Sequence, residues 1–234
     1  MHTDEAGIAV SVTTYTQPEP VVRPRPAMLA IAATKGIPSQ TGVWVAVSAI
    51  AMSFAALTSA LVVRQGSGAD WQRFALPRIL YLDTLILIAS SYTLELARKR
   101  FAVATLLRSG PPGSQASGDD AVEQAAALRS SGLYWLNLTL TLGLFFVAGQ
   151  VLAWLRLASQ GLFLATSPSS SFFYLLTAMH GLHLLGGVLG LVYVGYRLRH
   201  NARNAQTSLG TAAVYWHFVD LLWVYLLMVI AIRM

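Results

Sequence analysis

Apolar residues fall into five long stretches separated by short polar segments, at about 41–63, 77–97, 133–156, 171–197 and 211–232. Each stretch is long enough for a bilayer-spanning helix, which needs roughly 20 mostly apolar residues at a rise of about 1.5 Å per residue. The pattern predicts an all-α integral membrane protein with five transmembrane helices. Gly66 and Gly68 end the first span, Pro77 suits the first turn of the second, and Pro168, Ser169 and Ser170 cap the fourth. The segment RSGPPGSQASGDD from Arg108 reads as a loop, after which Asp119 or Asp120 caps a helical extension, AVEQAAALRSS, leading into the third span. Residues 1–40 are polar, carry several prolines and lack the apolar core of a signal peptide. They read as a retained, flexible tail ahead of a membrane domain over 41–234. No internal repeat is evident.

Composition agrees with that pattern. The 234 residues are 55% hydrophobic and 11% charged, unlike an ordinary soluble domain. The absence of cysteine excludes disulfides, thiolate metal sites and c-type heme attachment. A net charge of +6 does not point to nucleic acid, because the basic residues sit in short loops between apolar runs. With the N-terminus in the cytoplasm, the inside segments hold Arg23, Arg25, Lys35, Arg98, Lys99, Arg100, Arg108, Arg129, Arg197, Arg199 and Arg203. The opposite side holds Arg64, Arg73, Arg78, Arg156 and Arg233. Cytoplasmic loops retain basic residues during insertion, so the bias predicts N-terminus in and C-terminus out, on the periplasmic side.

Candidate chemistry lies in the polar groups at membrane depth. His180, His183, His217 and Asp220 fall inside the fourth and fifth spans. Positions three apart share a helix face, so His180 pairs with His183 and His217 with Asp220. One reading is a metal or heme site, since neutral imidazole is a common ligand. His-x-x-His is too short to be specific, and a bis-histidine heme needs ligands from two facing helices. The other reading is hydrogen bonding across a helix interface, with Asp220 accepting from an imidazole N–H and Gly181, Gly186, Gly187 and Gly190 permitting close approach. Asp83 sits one turn into the second span, where a carboxylate favours the helix N-terminus, with a proton-carrying role as the alternative. Glu95 is placed for an i,i+4 pair with Lys99. Gln150 needs a partner on another helix. Trp135, Trp154, Trp216 and Trp223 read as interfacial or helix-contact residues. No P-loop, GxGxxG, nucleophile elbow or HExxH motif occurs.

Four stretches resemble subunit III of the heme-copper terminal oxidases, the cytochrome c and quinol oxidase family, and together cover most of residues 41–232. SSFFYLLTAMHGLHLLGGVLGLVYVGYRLR resembles that family's GSTFF…TGFHGLHV segment, and AAVYWHFVDLLWVYLL its AAWYWHFVDVVWLFL segment. LPRILYLDTLILIASSYTLELA is similar to its LNTLLLLSSS helix, and LTLTLGLFFVAGQ to its LTxxLGxxFxxxQ helix. Five spans rather than seven match the short bacterial form.

The resemblance implies a subunit without catalytic, heme or metal-ligating residues of its own, in the bacterial inner membrane. By it, His180, His183, His217, Asp220, Gln150 and Asp83 are structural. Arg197, at the cytoplasmic end of the HGLH helix, stands where the family's arginine meets a lipid phosphate. Heme and copper belong to partner subunits. Subunit I, subunit II, phospholipid and a larger respiratory supercomplex are the expected associates. The implied role is to stabilise the catalytic subunit, order lipids and support proton uptake during reduction of oxygen to water. Several acids of the family pattern are missing. Ile50 replaces the first-span glutamate, Ala153 the acid of QxxEY, Gly210 the glutamate ahead of AAWYWH, and Asp83 stands for the usual asparagine. These departures also suit the subunit-III-like accessory protein of nitric oxide reductases, which is the alternative.

Overall fold

The computed structural model describes residues 38–67, 71, 76–108, 118–200 and 204–233. Most of the expected N-terminal tail lies outside these residues, as do Arg73 and Arg203 of the charge count. The described chain forms α1 (Pro38–Ser67), α2 (Ile79–Arg108), α3 (Gly118–Ser159), α4 (Pro168–Arg199) and α5 (Ala205–Arg233). All five are long and apolar enough to cross a membrane. In hydrocarbon, backbone N–H and C=O groups find no water, so the helix, which satisfies them internally, is the form these apolar segments take.

All five helices run past their expected spans, α2 and α3 the furthest. The second span was placed at about 77–97, yet α2 continues to Arg108. The third was placed at about 133–156 with a helical extension ahead of it; that extension is present, and α3 begins at Gly118, ahead of both aspartates expected to cap it. At 42 residues α3 is about 60 Å long, well beyond the thickness of a hydrocarbon core of about 30 Å. Hydropathy registers only the part buried in lipid, while the helix itself is continued by good helix formers such as the alanines of AVEQAAALR. The outer ends of α2 and α3 pack on each other as an antiparallel hairpin. Ala97, Phe101, Ala104 and Ala125 are buried there. The Phe101 ring lies so close over Gly132 that a Cβ at that position would come within 2.9 Å of it.

α4 starts one residue before the serines expected to cap it. Ser167 is the N-cap, with Pro168 at the first helical position, where its missing N–H costs nothing. The Ser167 hydroxyl accepts from the Ser170 N–H at 3.3 Å, and the Ser170 hydroxyl accepts from the Ser167 N–H at 3.1 Å. This reciprocal box satisfies two backbone donors at the helix entrance.

Helix pairing places α2 between α3 and α5, while α4 packs on α3 and α5, and α1 lies against α4 and α5. The least buried of the five is α1. Its Ile50, Phe54 and Leu61 join the core, while Trp44, Val45 and Met52 are exposed. The core runs the length of the bundle, with Phe54, Phe146, Phe173, Trp216 and Trp223 as its largest buried side chains among the described residues.

Candidate functional site

One helix carries most of the polar contacts at membrane depth. On α2, Asp83, Thr84, Ser90, Ser91 and Thr93 each contact a side chain of α3 or α5. Towards α3, Gln150 Nε2 donates to Asp83 Oδ2 at 3.0 Å, and the hydroxyls of Thr93 and Thr139 lie 2.8 Å apart. Towards α5, Trp223 Nε1 donates to Thr84 Oγ1 at 3.0 Å, and Trp216 Nε1 to Ser90 Oγ at 3.1 Å. Spacings of seven explain the stripe: Asp83 and Ser90, like Thr84 and Ser91, sit two turns apart on one face.

Asp83 therefore does not serve its own helix terminus, as expected, but is 1% exposed and directed into α3. Room for its carboxylate is made by Gly149. A Cβ built there would meet Asp83 Oδ1 in a steric overlap, with Oδ2 at 2.7 Å. The expected partner of Gln150 is thus Asp83, and the glycine beside Gln150 is what lets the pair form. Gly143 does the same for Trp216, whose ring would lie 2.8 Å from a Cβ at 143.

The second centre joins α2 and α5 through Ser91. Its hydroxyl donates to Asp220 Oδ2, and its oxygen lies 3.0 Å from His217 Nδ1. A hydroxyl has one hydrogen to give, so the oxygen accepts from the imidazole N–H. Asp220 was expected to accept from an imidazole directly; the structure inserts Ser91 between them. His217 Nε2 lies 4.0 Å from Glu95 Oε2, and Glu95 pairs at 2.7 Å with Arg98, one turn on, rather than with the expected Lys99, which is exposed. Arg98, Glu95, His217, Ser91 and Asp220 thus form a continuous polar line from the basic end of α2 into the bundle. Asp220 Oδ1 has no partner among the described residues.

The two histidines of α4 point to different neighbours. His180 is 0% exposed, its ring set against Phe146 at 5.8 Å and Trp223 at 5.1 Å between centroids. Both its ring nitrogens lack a partner among the described residues. The ring of His183 meets Phe54 of α1 edge-on at 5.7 Å, and its Nδ1 turns back 2.6 Å from the Met179 carbonyl. Among the described residues, no three histidine, aspartate or glutamate side chains come together as metal ligands. Of the glycines expected to permit close approach, Gly187 does so, with Tyr215 and Trp216 ring carbons 3.2 Å from a Cβ placed there. Gly181 and Gly190 face open space.

Arg197 is half-buried. Its Nη1 donates to Ser208 Oγ at 3.1 Å, and its guanidinium stands 5.8 Å from the Tyr193 ring centroid. Ile50, at the place of the missing first-span acid, lies in the apolar core one turn from Phe54.

Ser91, Thr84, Ser90 and Gly149 were not singled out from sequence as site residues. The signal that finds them is the seven-residue recurrence of hydroxyls and Asp83 in an otherwise apolar helix, opposite indole and imidazole donors on another helix.

Comparison with known proteins gives a consistent result. The family model described as cytochrome c oxidase subunit III matches residues 122–233, from α3 to the end of α5. A probable cytochrome c oxidase subunit 3 of Nocardia farcinica is 37% identical over 94 residues, 38% of this chain and 45% of the relative. Its counterpart in Mycobacterium tuberculosis is 37% identical over 99 residues, 41% of this chain and 48% of the relative. The chain thus spans about half the length of these relatives. A cytochrome c oxidase subunit 3 of Thermostichus vulcanus is 28% identical over 181 residues, 75% of this chain and 77% of the relative.

Proposed function

This chain belongs to the subunit III family of the heme-copper oxidases, and from that premise we propose that it is a non-catalytic subunit of a bacterial aerobic respiratory oxidase. The complex would reduce oxygen to water, coupled to electron transport and proton translocation. Its heme and copper would be held by subunits I and II. In this reading the chain is a multi-pass protein of the bacterial inner membrane, N-terminus cytoplasmic and C-terminus periplasmic. It covers the flank of the catalytic subunit, orders phospholipid, with Arg197 at a headgroup, and supports proton uptake.

One structural observation carries the non-catalytic part. Three of the ionisable groups at membrane depth are engaged in helix-to-helix contacts: Asp83 with Gln150, and His217 and Asp220 through Ser91. Joining neighbouring helices is the packing role that polar side chains take in membrane bundles. The relatives reported favour the oxidase over the nitric oxide reductase reading, since each is named a cytochrome c oxidase subunit 3.

The test is a mild-detergent pull-down of the tagged chain, with a reduced-minus-oxidised spectrum and mass identification of what accompanies it. Heme and copper arriving with a many-span partner, and leaving when that partner is stripped away, is the expected result. Heme or metal retained by the isolated chain at one per molecule would overturn it. A nitric oxide reductase large subunit as the co-purifying partner would replace the oxidase by the alternative.

A further inference from the structure

Away from the polar contacts of α2 with α5, we infer that the groove between α3 and α4 binds a membrane-dissolved alcohol of the isoprenoid quinol class, whose hydroxyl donates to Gln150. A cavity of about 280 Å³ opens there, lined by Phe146, Gln150 and Trp154 of α3 and by Thr177 and Gly181 of α4, with apolar neighbours. That volume is just under the roughly 300 Å³ at which small-molecule sites begin, room for one ring and the start of a tail. Gly181 keeps it open, since a Cβ built there meets nothing within 4 Å.

Gln150 marks this cavity as more than a gap for lipid. The residue is 5% exposed. Its Nε2 donates to Asp83, and its Oε1 is left without a partner among the described residues. An unpaired buried acceptor is costly where no water reaches it. The other polar groups of the wall are already engaged. Trp154 Nε1 donates to Thr177 Oγ1 at 3.0 Å, and the Thr177 hydroxyl donates to the Phe173 carbonyl at 2.7 Å. What the cavity lacks is therefore a single hydrogen-bond donor.

Depth and chemistry narrow the occupant. Gln150 stands nine residues before the end of α3 and Thr177 nine residues after the start of α4, so the cavity begins about 14 Å below the turn that joins them, inside the hydrocarbon. A water molecule needs two to four polar partners and would find one. An acyl chain fills the space but carries no donor, and the polar groups of phospholipids lie at headgroup level, above this depth. Serine and threonine of a neighbouring spanning helix tend to use their hydrogen on their own helix, as Ser53, Thr58 and Thr84 do here by donating to the carbonyl four residues back. A quinol combines what is left: an apolar body that moves within the hydrocarbon, a flat ring suited to the Trp154 and Phe146 side chains, and a hydroxyl hydrogen to give. The corresponding quinone has nearly the same shape and no such hydrogen. Oε1 is covered in the structure, so the hydroxyl reaches it as Val151, Leu182 and Leu185, exposed side chains of the same wall, shift aside.

The test is native mass spectrometry of the intact complex incubated with decylubiquinol or decylubiquinone under argon, with collisional release of this chain to count the ligand it keeps. Wild type should keep the quinol about five-fold better than the quinone, the factor of one net hydrogen bond. Gln150→Leu should bring the two to the same level. Gly181→Leu, which fills the cavity from a position in open space, should abolish retention of both. Gly190→Leu, also in open space on α4 but outside the cavity, should match wild type. Equal retention of quinol and quinone by wild type, or retention of neither, would overturn the proposal, as would unchanged retention in Gly181→Leu. Loss of another subunit from the Gly181→Leu complex would overturn it too, because a partner helix would then be the occupant. A Cβ at 181 meets no other group, so this variant separates loss of the site from loss of the fold. None of these outcomes bears on the oxidase reading, which rests on which subunits and hemes accompany the chain.

Discussion

Gly149 shows how one missing side chain decides which polar groups meet. Any Cβ there would overlap the Asp83 carboxylate, so Gly149→Ala should destabilise the α2–α3 contact by about 1–3 kcal/mol, the usual cost of overpacking. Thermal unfolding of the detergent-solubilised protein measures this. Asp83→Ala in the same chain should restore most of the loss, because it removes the group that clashes; absence of rescue would sink the explanation. Gly181→Ala, facing open space on α4, should be neutral or stabilise by up to about 1 kcal/mol, the helix propensity difference between the two residues. Ser91 is the counterpart on the α5 side. A double-mutant cycle of Ser91→Ala with His217→Ala should give a coupling of about 0.6 kcal/mol and below about 2, the range of hydrogen bonds between membrane helices. Independent, additive effects would mean the contact contributes nothing.

At the scale of elements, α2 is a polar spine and α4 an apolar helix with a built start. The Ser167 cap closes a buried turn, so Ser167→Ala should cost about 1–2 kcal/mol, at the upper end for lost N-caps. Hydrogen exchange should localise the change to the first turn of α4, while protection of α5 stays as it is. That α2 is a span was legible before folding was known, because apolar length fixes the existence of a span. The partners were not, since Thr84 and Ser90 look in sequence like ordinary small polar residues. What makes them acceptors is that Trp223 and Trp216, far away in the chain, bring indole N–H groups into a region without water, where an unpaired donor is costly.

For the whole molecule the open question is orientation, and the chain is suited to answering it because it contains no cysteine of its own. Glu123→Cys, on the outer part of α3, and Leu164→Cys, in the turn before α4, occupy exposed positions at opposite ends of the bundle. In intact cells stripped of their outer membrane, a charged thiol reagent should label position 164 and reach position 123 only after the membrane is permeabilised. The reverse pattern would place the basic end on the periplasmic side.

By itself the sequence determined the class of protein, the number of apolar spans and the resemblance to a family, because apolar length and a few contiguous motifs are local properties carried by neighbouring residues. It also marked His180, His183, His217, Asp220, Gln150 and Asp83 as the groups needing an explanation, because polarity at membrane depth is visible without a fold. Only the tertiary structure decided what each of them faces: His180 aromatic rings, Asp83 the gap left by Gly149, Asp220 a serine instead of an imidazole. A partner on another helix depends on the rotation and depth at which two helices pack. Those are set by the sum of many small side-chain contacts across the interface, and no single stretch of sequence contains that sum.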